Sequence, residues 1–324
     1  MTTRRAALGS FAAGAWSLGS GPVLADDDKS PVTVLVGAAS TMDSTARLLS
    51  EHLREALGRP VITVSRLGAG GRLALGELRR AAPDGRTLML STSSPFTIYP
   101  NIYTKLEYDP VADFSAIGGV CWFDVALATG PSTGATDIKS MLAWARGKGA
   151  EALYGAAPGN GSSSHLAGMG LALASGLPLG MVPYKDSSVG VGDLITGRLP
   201  MLVTGTGALT EMHKAGRLRI LATSGEQRTP LVSDVPTFKE AGIDLSIVNS
   251  VGLYGPARLP REIGVRLQAA LQTLLAKPEL RDKLLAMGMT PAPMTAPQLT
   301  ASLAADRKQF ELLFKKSGYQ PEAS

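Results

Sequence analysis

The segment Pro158-Gly159-Asn160-Gly161-Ser162-Ser163-Ser164-His165 holds the densest set of residues able to do chemistry in this chain, and that chemistry is anion binding. An apolar run at 152–156 precedes it and a helical pattern at 162–175 follows, so it reads as a strand end, a glycine turn and a hydroxyl-rich helix start. The first amides of a helix lack intrahelical acceptors, and the dipole adds about half a positive charge there. A carboxylate can therefore rest on Gly161 to Ser164 without a dedicated cation. Gly159 and Gly161 permit positive φ and close approach of backbone to ligand, while Ser162, Ser163 and Ser164 offer an N-cap and further donors. The plain alternative is a loop that caps an ordinary helix.

Other reactive residues lack partners. His165 follows Ser164 with no partner acid, and His52 and His213 fall on helical patterns away from any Cys or acid cluster. No Gly-x-Ser-x-Gly elbow makes a nucleophile of Ser162, Ser163 or Ser164, which sets a serine hydrolase aside. No paired His, Cys or Asp spacing suggests a metal, and no cofactor is implied; the chain is not expected to be an enzyme. Cys121, the single cysteine, sits among Gly119, Val120, Trp122 and Phe123 and reads as a buried, inert thiol. Gly68-Ala69-Gly70-Gly71 lacks the Gly-Lys-Ser/Thr ending of a phosphate loop and reads as a tight turn into a helix.

The elements that must position the serine loop alternate between strand and helix. Apolar runs at 32–36, 61–64 and 87–90 enclose helical patterns at 43–57 and 70–82, a βαβαβ unit. After a long stretch through 117–129 the alternation starts again: helix 137–148, strand 152–156, helix 162–175, strand 181–184, helix 188–197, strand 201–203. Strands at 219–223 and 247–254 precede helices near 262–276, 279–287 and 297–316, which have nowhere to pack unless the chain returns to the first unit. The expected fold is α/β and two-lobed, a type II-like periplasmic-binding-protein fold with a mainly parallel sheet flanked by helices in each lobe. One lobe comprises 26–127 and 249–324, the other 128–248, and ligand binds in the cleft between strand ends.

With 324 residues and 44% apolar content the chain can bury a large core. Residues 1–25 read as an export signal: Arg4 and Arg5, a mildly apolar run from Leu8 to Trp16, and Val23-Leu24-Ala25 for cleavage near Ala25. The paired arginines suggest the twin-arginine route, with the ordinary secretory route as the alternative. No Cys for lipid attachment follows the apolar run, and no later segment is long enough to span a membrane. Removing residues 1–25 takes away two arginines and no acid, lowering the net charge from +5 to +3. The basic residues are dispersed without interleaved aromatics, which argues against nucleic acid. The expected mature protein is a periplasmic monomer.

The chain resembles the tripartite tricarboxylate transporter receptor family, also called the Bug family of solute-binding proteins, over residues 31–318. The resemblance rests on Ala46-Arg47-Leu48-Leu49, Gly68-Ala69-Gly70-Gly71, Ala82-Pro83-Asp84-Gly85, Tyr108-Asp109-Pro110 with Asp113-Phe114, Gly159-Asn160-Gly161-Ser162-Ser163 with His165-Leu166-Ala167-Gly168, Val182-Pro183-Tyr184-Lys185, and Asp234-Val235-Pro236-Thr237, in that order. It implies a two-lobed receptor in which the first βα loop and the Gly-Asn-Gly-Ser-Ser loop hold one carboxylate of an organic acid, partly through ordered water.

Candidate contacts in the first loop are Ala38, Ala39, Ser40 and Thr41. The family commonly has Pro-Gly-Gly there, so only Asp43 matches, and Asp43 reads as a helix cap because an acid repels a carboxylate. Ser91, Thr92 and Ser93 offer neutral donors at the end of the third strand. The resemblance places Tyr184 at the cleft; Lys185 reads equally as a ligand contact or a solvated cation. Thr204 stands where the family often supplies an Asp, which removes one partner for an ammonium group. The expected ligand is an amine-free mono- or dicarboxylate, delivered to membrane transporter subunits, or alternatively sensed on behalf of a signalling partner.

Overall fold

The computed structural model describes residues 30–38 and 41–322, so the export signal and the candidates Ala39 and Ser40 lie outside the described residues. Two parallel trios of strands organise it. In the first, β1 (Val32–Val36) lies between β2 (Val61–Ser65) and β3 (Thr87–Thr92). In the second, β5 (Leu153–Ala157) lies between β6 (Gly180–Pro183) and β7 (Met201–Gly205). Nearly continuous burial of runs such as Val-Thr-Val-Leu-Val demands cover on both faces. Helix α1 (Thr41–Leu57) supplies one such cover, burying Met42, Ala46, Leu49 and Leu53 at helical spacing.

A 16-residue strand, β4 (Phe114–Thr129), joins the trios. Its residues 114–124 pair antiparallel with β9 (Val248–Pro256), and residues 125–129 pair with β7 and with β8 (Arg219–Thr223). The handover is abrupt: Asp124 pairs with Val248, whereas Val125 pairs with Gly205. The chain returns beside it, where Ser224 N donates to Val125 O at 2.8 Å and Ile247 N donates to Ser224 O at 2.8 Å. The two lobes are thus linked by hydrogen-bonded strands. Sheet order runs β2-β1-β3-β9-β4-β7-β5-β6, with β8 and β10 (Thr290–Thr295) also on β4.

The helices fill both sides: α2 (Arg72–Arg80), α3 (Ser94–Thr97), α4 (Tyr99–Ile102), α5 (Ile138–Lys148), α6 (Ser163–Ser175), α7 (Ser187–Ile195), α8 (Thr206–Lys214), α9 (Arg261–Leu275), α10 (Pro278–Ala286) and α11 (Ala296–Ser317). Helix α11 serves both lobes. Leu299 and Leu303 pack with Phe96 and Tyr254, while Phe310 and Phe314 join a cluster with Leu166 of α6 and with Ile98, Tyr99 and Ile102.

Several elements had no counterpart in the sequence reading. Helix α8 begins between Gly205 and Gly207, which weaken its pattern, and β10 carries Pro291 and Pro293. That strand pairs with β4 across a register shift between Pro291 and Met294, the usual way a proline-bearing strand is accommodated. The single strand β4 spans the stretch that sequence alone left undivided.

Candidate ligand-binding site

The strand ends of the first lobe converge on a small cavity of about 30 Å³, lined by Gly37, Ala38, Gly70, Gly71, Ser91 and Thr92 among others. It has room for roughly one or two waters. A Cβ on Gly37 would stand 2.5 Å from Gly71 Cα, so this close backbone approach requires glycine. Ser91 Oγ donates to Thr92 O at 3.1 Å, and Ser93, buried, donates its amide to Ser250 O at 2.8 Å. Ser94 Oγ donates to Asn249 Oδ1 at 3.1 Å, tying the turn to β9. Thr41 opens α1. Asp43, in its first turn, is held by Arg47 Nε at 2.7 Å and by Ser65 Oγ. The Arg47 hydrogen bond, then that of Ser65, keeps the Asp43 carboxyl below the ordinary carboxylate range. Asp43 is therefore fixed to its own helix and to β2.

In the second lobe Ser162 is the N-cap of α6, accepting from His165 N at 3.1 Å and donating to Pro158 O. Ser163 begins the helix and is buried, and the amides of Ser163 and Ser164 have no helical carbonyl behind them. Ser164 Oγ donates to Ala157 O at 2.9 Å, and the fully buried Thr204 Oγ1 donates to the same carbonyl at 2.8 Å. Ser187 Oγ lies 2.8 Å from Thr204 Oγ1. Two hydroxyls on one carbonyl lock the start of α6 to the end of β7.

Three candidates, His165, Tyr184 and Asn160, are occupied by other work, and a fourth, Lys185, is exposed. The His165 ring packs against Phe314 and Tyr319, with centroids 6.4 and 5.4 Å away, and Nδ1 accepts from Gly161 N at 3.4 Å. Burial holds its pKa below the ordinary value, with Glu322 opposing, so the ring is a neutral core group. Tyr184 donates its hydroxyl to Asp193 Oδ2 at 2.9 Å and packs toward Gly155 and Gly190; burial, then Asp193, pushes its phenol up to about 12. Asn160 Nδ2 donates to Glu322 Oε1 at 2.9 Å. Lys185 is exposed beside Asp186, whose carboxylate accepts from Ser188 N at 2.8 Å as the cap of α7.

The two glycines of the loop serve the chain's own packing. A Cβ on Gly161, at φ +75°, would meet Ile102 Cδ1 at 2.4 Å, and one on Gly159 would meet Pro183 Cβ at 2.8 Å. Gly161 has the positive φ expected of it, and both glycines also make room for neighbouring side chains of the chain itself. Tyr99, missed in the sequence, joins both walls: its hydroxyl donates to Gly70 O at 2.8 Å, and its ring lies against Gly161. Glu322 was missed too. Its backbone pairs with Ile102 and Thr104 while its carboxylate holds Asn160. No local pattern marks either residue.

The architecture has close counterparts. Rpa4515 of R. palustris, solved with adipate, is 26% identical with a TM-score of 0.82, covering 91% of this chain and 100% of that one. The periplasmic binding protein BugD is 26% identical with a TM-score of 0.77, covering 90% and 99%. Among curated proteins, a UPF0065 protein of Bordetella bronchiseptica is 30% identical over 290 residues, 90% of this chain and 86% of that protein. Protein BugT of Bordetella pertussis is 27% identical, covering 98% of both. Residues 45–318 match the tripartite tricarboxylate transporter family receptor, and the chain belongs to that family.

Proposed function

We propose that this receptor captures a small, amine-free mono- or dicarboxylate in the cleft and presents it to membrane transporter subunits, without catalysing a reaction on it. The observation that carries the reading is the start of α6, where first-turn amides of Ser163 and Ser164 stand on a helix held by Ser164, Thr204 and Ala157 O. The first lobe contributes Ser91 and Thr92, which line a cavity of water size. The similar Rpa4515 was solved with adipate, a dicarboxylate. An ammonium group needs a free acid or carbonyl in a closed cleft. Asp43 and Asp186, near these loops, are engaged by Arg47, Ser65 and Ser188, and Thr204 supplies no charge.

The same reading keeps 26–127 with 249–324 as one lobe and 128–248 as the other, supported by the handover on β4 after Asp124. It also takes residues 1–25 as a twin-arginine export signal cleaved near Ala25 and the mature periplasmic protein as a monomer. No helix among the described residues is long and apolar enough to cross a membrane. Isothermal titration of residues 26–324 tests the ligand class. Adipate or another amine-free acid binds at micromolar Kd or tighter; aspartate or glutamate binding with no amine-free acid matching it overturns the proposal.

A further inference from the structure

Asp124 lies where the two lobes meet. Its backbone makes the last pair of β4 with β9, but its side chain reaches the other lobe: Oδ1 accepts from Thr206 Oγ1, the first residue of α8, at 2.8 Å. The residue is only 3% exposed, and Oδ2 has no hydrogen-bond partner. Thr223, at the end of β8, lies beside the carboxyl without completing a bond, and a Cβ at Gly225 would stand 3.4 Å from Oδ2. One carboxyl is thus anchored in one lobe and enclosed by the other. Any rotation that draws Asp124 with β9 away from Thr206, Thr223 and Gly225 admits water to an oxygen that lacks a partner here.

A second acid marks the returning strand. Asp306 lies on the stripe of α11 that carries the buried Leu299, Leu303 and Phe310, and Gln309 Nε2 pins α11 through Ser246 O at 2.9 Å to the segment that runs from Ser224 back to β9. Helix α11 spans both lobes, so its grip on the returning segment also senses their rotation.

We propose that the lobe crossing is a proton-responsive hinge, in which protonation of Asp124 and Asp306 favours the lobe arrangement described here over one that opens the crossing to water.

No cation acts on Asp124, and Arg307 offsets only part of what burial and Glu226 do to Asp306. Burial pushes Asp124 up to about 6; the opposing influences are Thr206, its own backbone amide, Thr223 and Gly225, polar groups and not cations. Burial and then Glu226 push Asp306 up to about 6, with Arg307 opposing. On α8, Glu211, His213 and Lys214 occupy the far turns, and His213 faces Asp234. Arg219 starts β8 away from the crossing, and Arg228 is held by Glu240. Neither β4 nor β9 carries another charged residue.

The sign follows from these positions. A solvated Asp titrates near 3.8, so between about pH 4 and 6 the described arrangement takes up protons that an opened crossing releases. Its share is highest in acid, falls as pH rises through about 6, and levels off above. At pH 5.0, one carboxyl titrating near 6 changes the ratio of the two arrangements by about tenfold relative to pH 8.0.

The test needs no ligand, so it stands apart from the proposed carboxylate binding. Spin labels on Arg80→Cys and Arg146→Cys, both exposed and one in each lobe, report the interlobe distance by pulsed electron resonance. The native Cys121 is buried with its thiol pushed up to about 12, which protects it from labelling. The expected result is at least a tenfold higher ratio of the distance belonging to the described arrangement over any other at pH 5.0 than at pH 8.0, with the pH response abolished in Asp124→Asn/Asp306→Asn. Identical distributions at both pH values in the unsubstituted hinge overturn the proposal, as does an undiminished response in the double variant. Should Asp124→Asn fail to fold, Asp306→Asn alone must reduce the response; no reduction counts against the proposal.

Discussion

Ser164 and Thr204, forty residues apart in sequence, donate to the same carbonyl, that of Ala157. This one acceptor fixes where α6 begins relative to the end of β7, and so where the amides of Ser163 and Ser164 stand. The serines divide their labour: Ser162 caps, Ser164 anchors, and Ser163 is buried at the first helical position, where we propose that it meets the ligand.

Replacement of Ser163 by Ala lowers carboxylate affinity by about 1.5–3 kcal/mol, the worth of a hydrogen bond to a charged group, and leaves folding intact. Titration calorimetry with the best-binding acid reads the loss. Equal affinity in a folded variant moves the contact to another residue.

Gly161→Val tests the packing role of the loop. Its side chain collides with Ile102 Cδ1 and must adopt φ +75°, so the variant loses at least about 2 kcal/mol of stability by overpacking and backbone strain. Urea denaturation measures it. An undiminished midpoint would return Gly161 to the role of ligand contact.

The His165 ring is favoured neutral in the fold, its pKa held down by burial. A His so depressed contributes stability that is present above its unfolded value near 6.5 and is lost as pH falls through the lower folded value. His165→Phe, which keeps an aromatic ring against Phe314 and Tyr319, therefore loses less stability between pH 7.5 and 5.0 than the parent chain. Parallel denaturation curves at the two pH values check this, and equal losses count against it.

Arg4→Lys with Arg5→Lys traps unprocessed precursor in the cytoplasm under the twin-arginine proposal. Fractionation and immunoblotting show it. Mature protein in the periplasm at the normal level assigns export to the secretory route.

The strands and most helices are legible because their signals are local. Runs such as 32–36 and the Met42, Ala46, Leu49, Leu53 spacing state element and buried face within a few residues. The serine loop is legible for the same reason, since a strand end, a glycine and a cap are consecutive. The packing partner of its glycines is not legible, because nothing near Gly161 announces Ile102, 59 positions earlier. Tyr99, Asn249 and Glu322 escaped for the same cause: each becomes part of the cleft region through a partner far along the chain. Asp124 sits in an apolar strand whose residues give no hint that the pairing partner changes there.

The continuity of β4 across both lobes limits how the receptor can move. A flexible linker would let the lobes tumble apart, and closure would then have to order many backbone dihedrals at about 1–2 kcal/mol each. Strands already paired on either side of Asp124 have those dihedrals fixed in advance. Motion reduces to a twist of a stiff ribbon, so little of a ligand's binding free energy is consumed in restraining the protein.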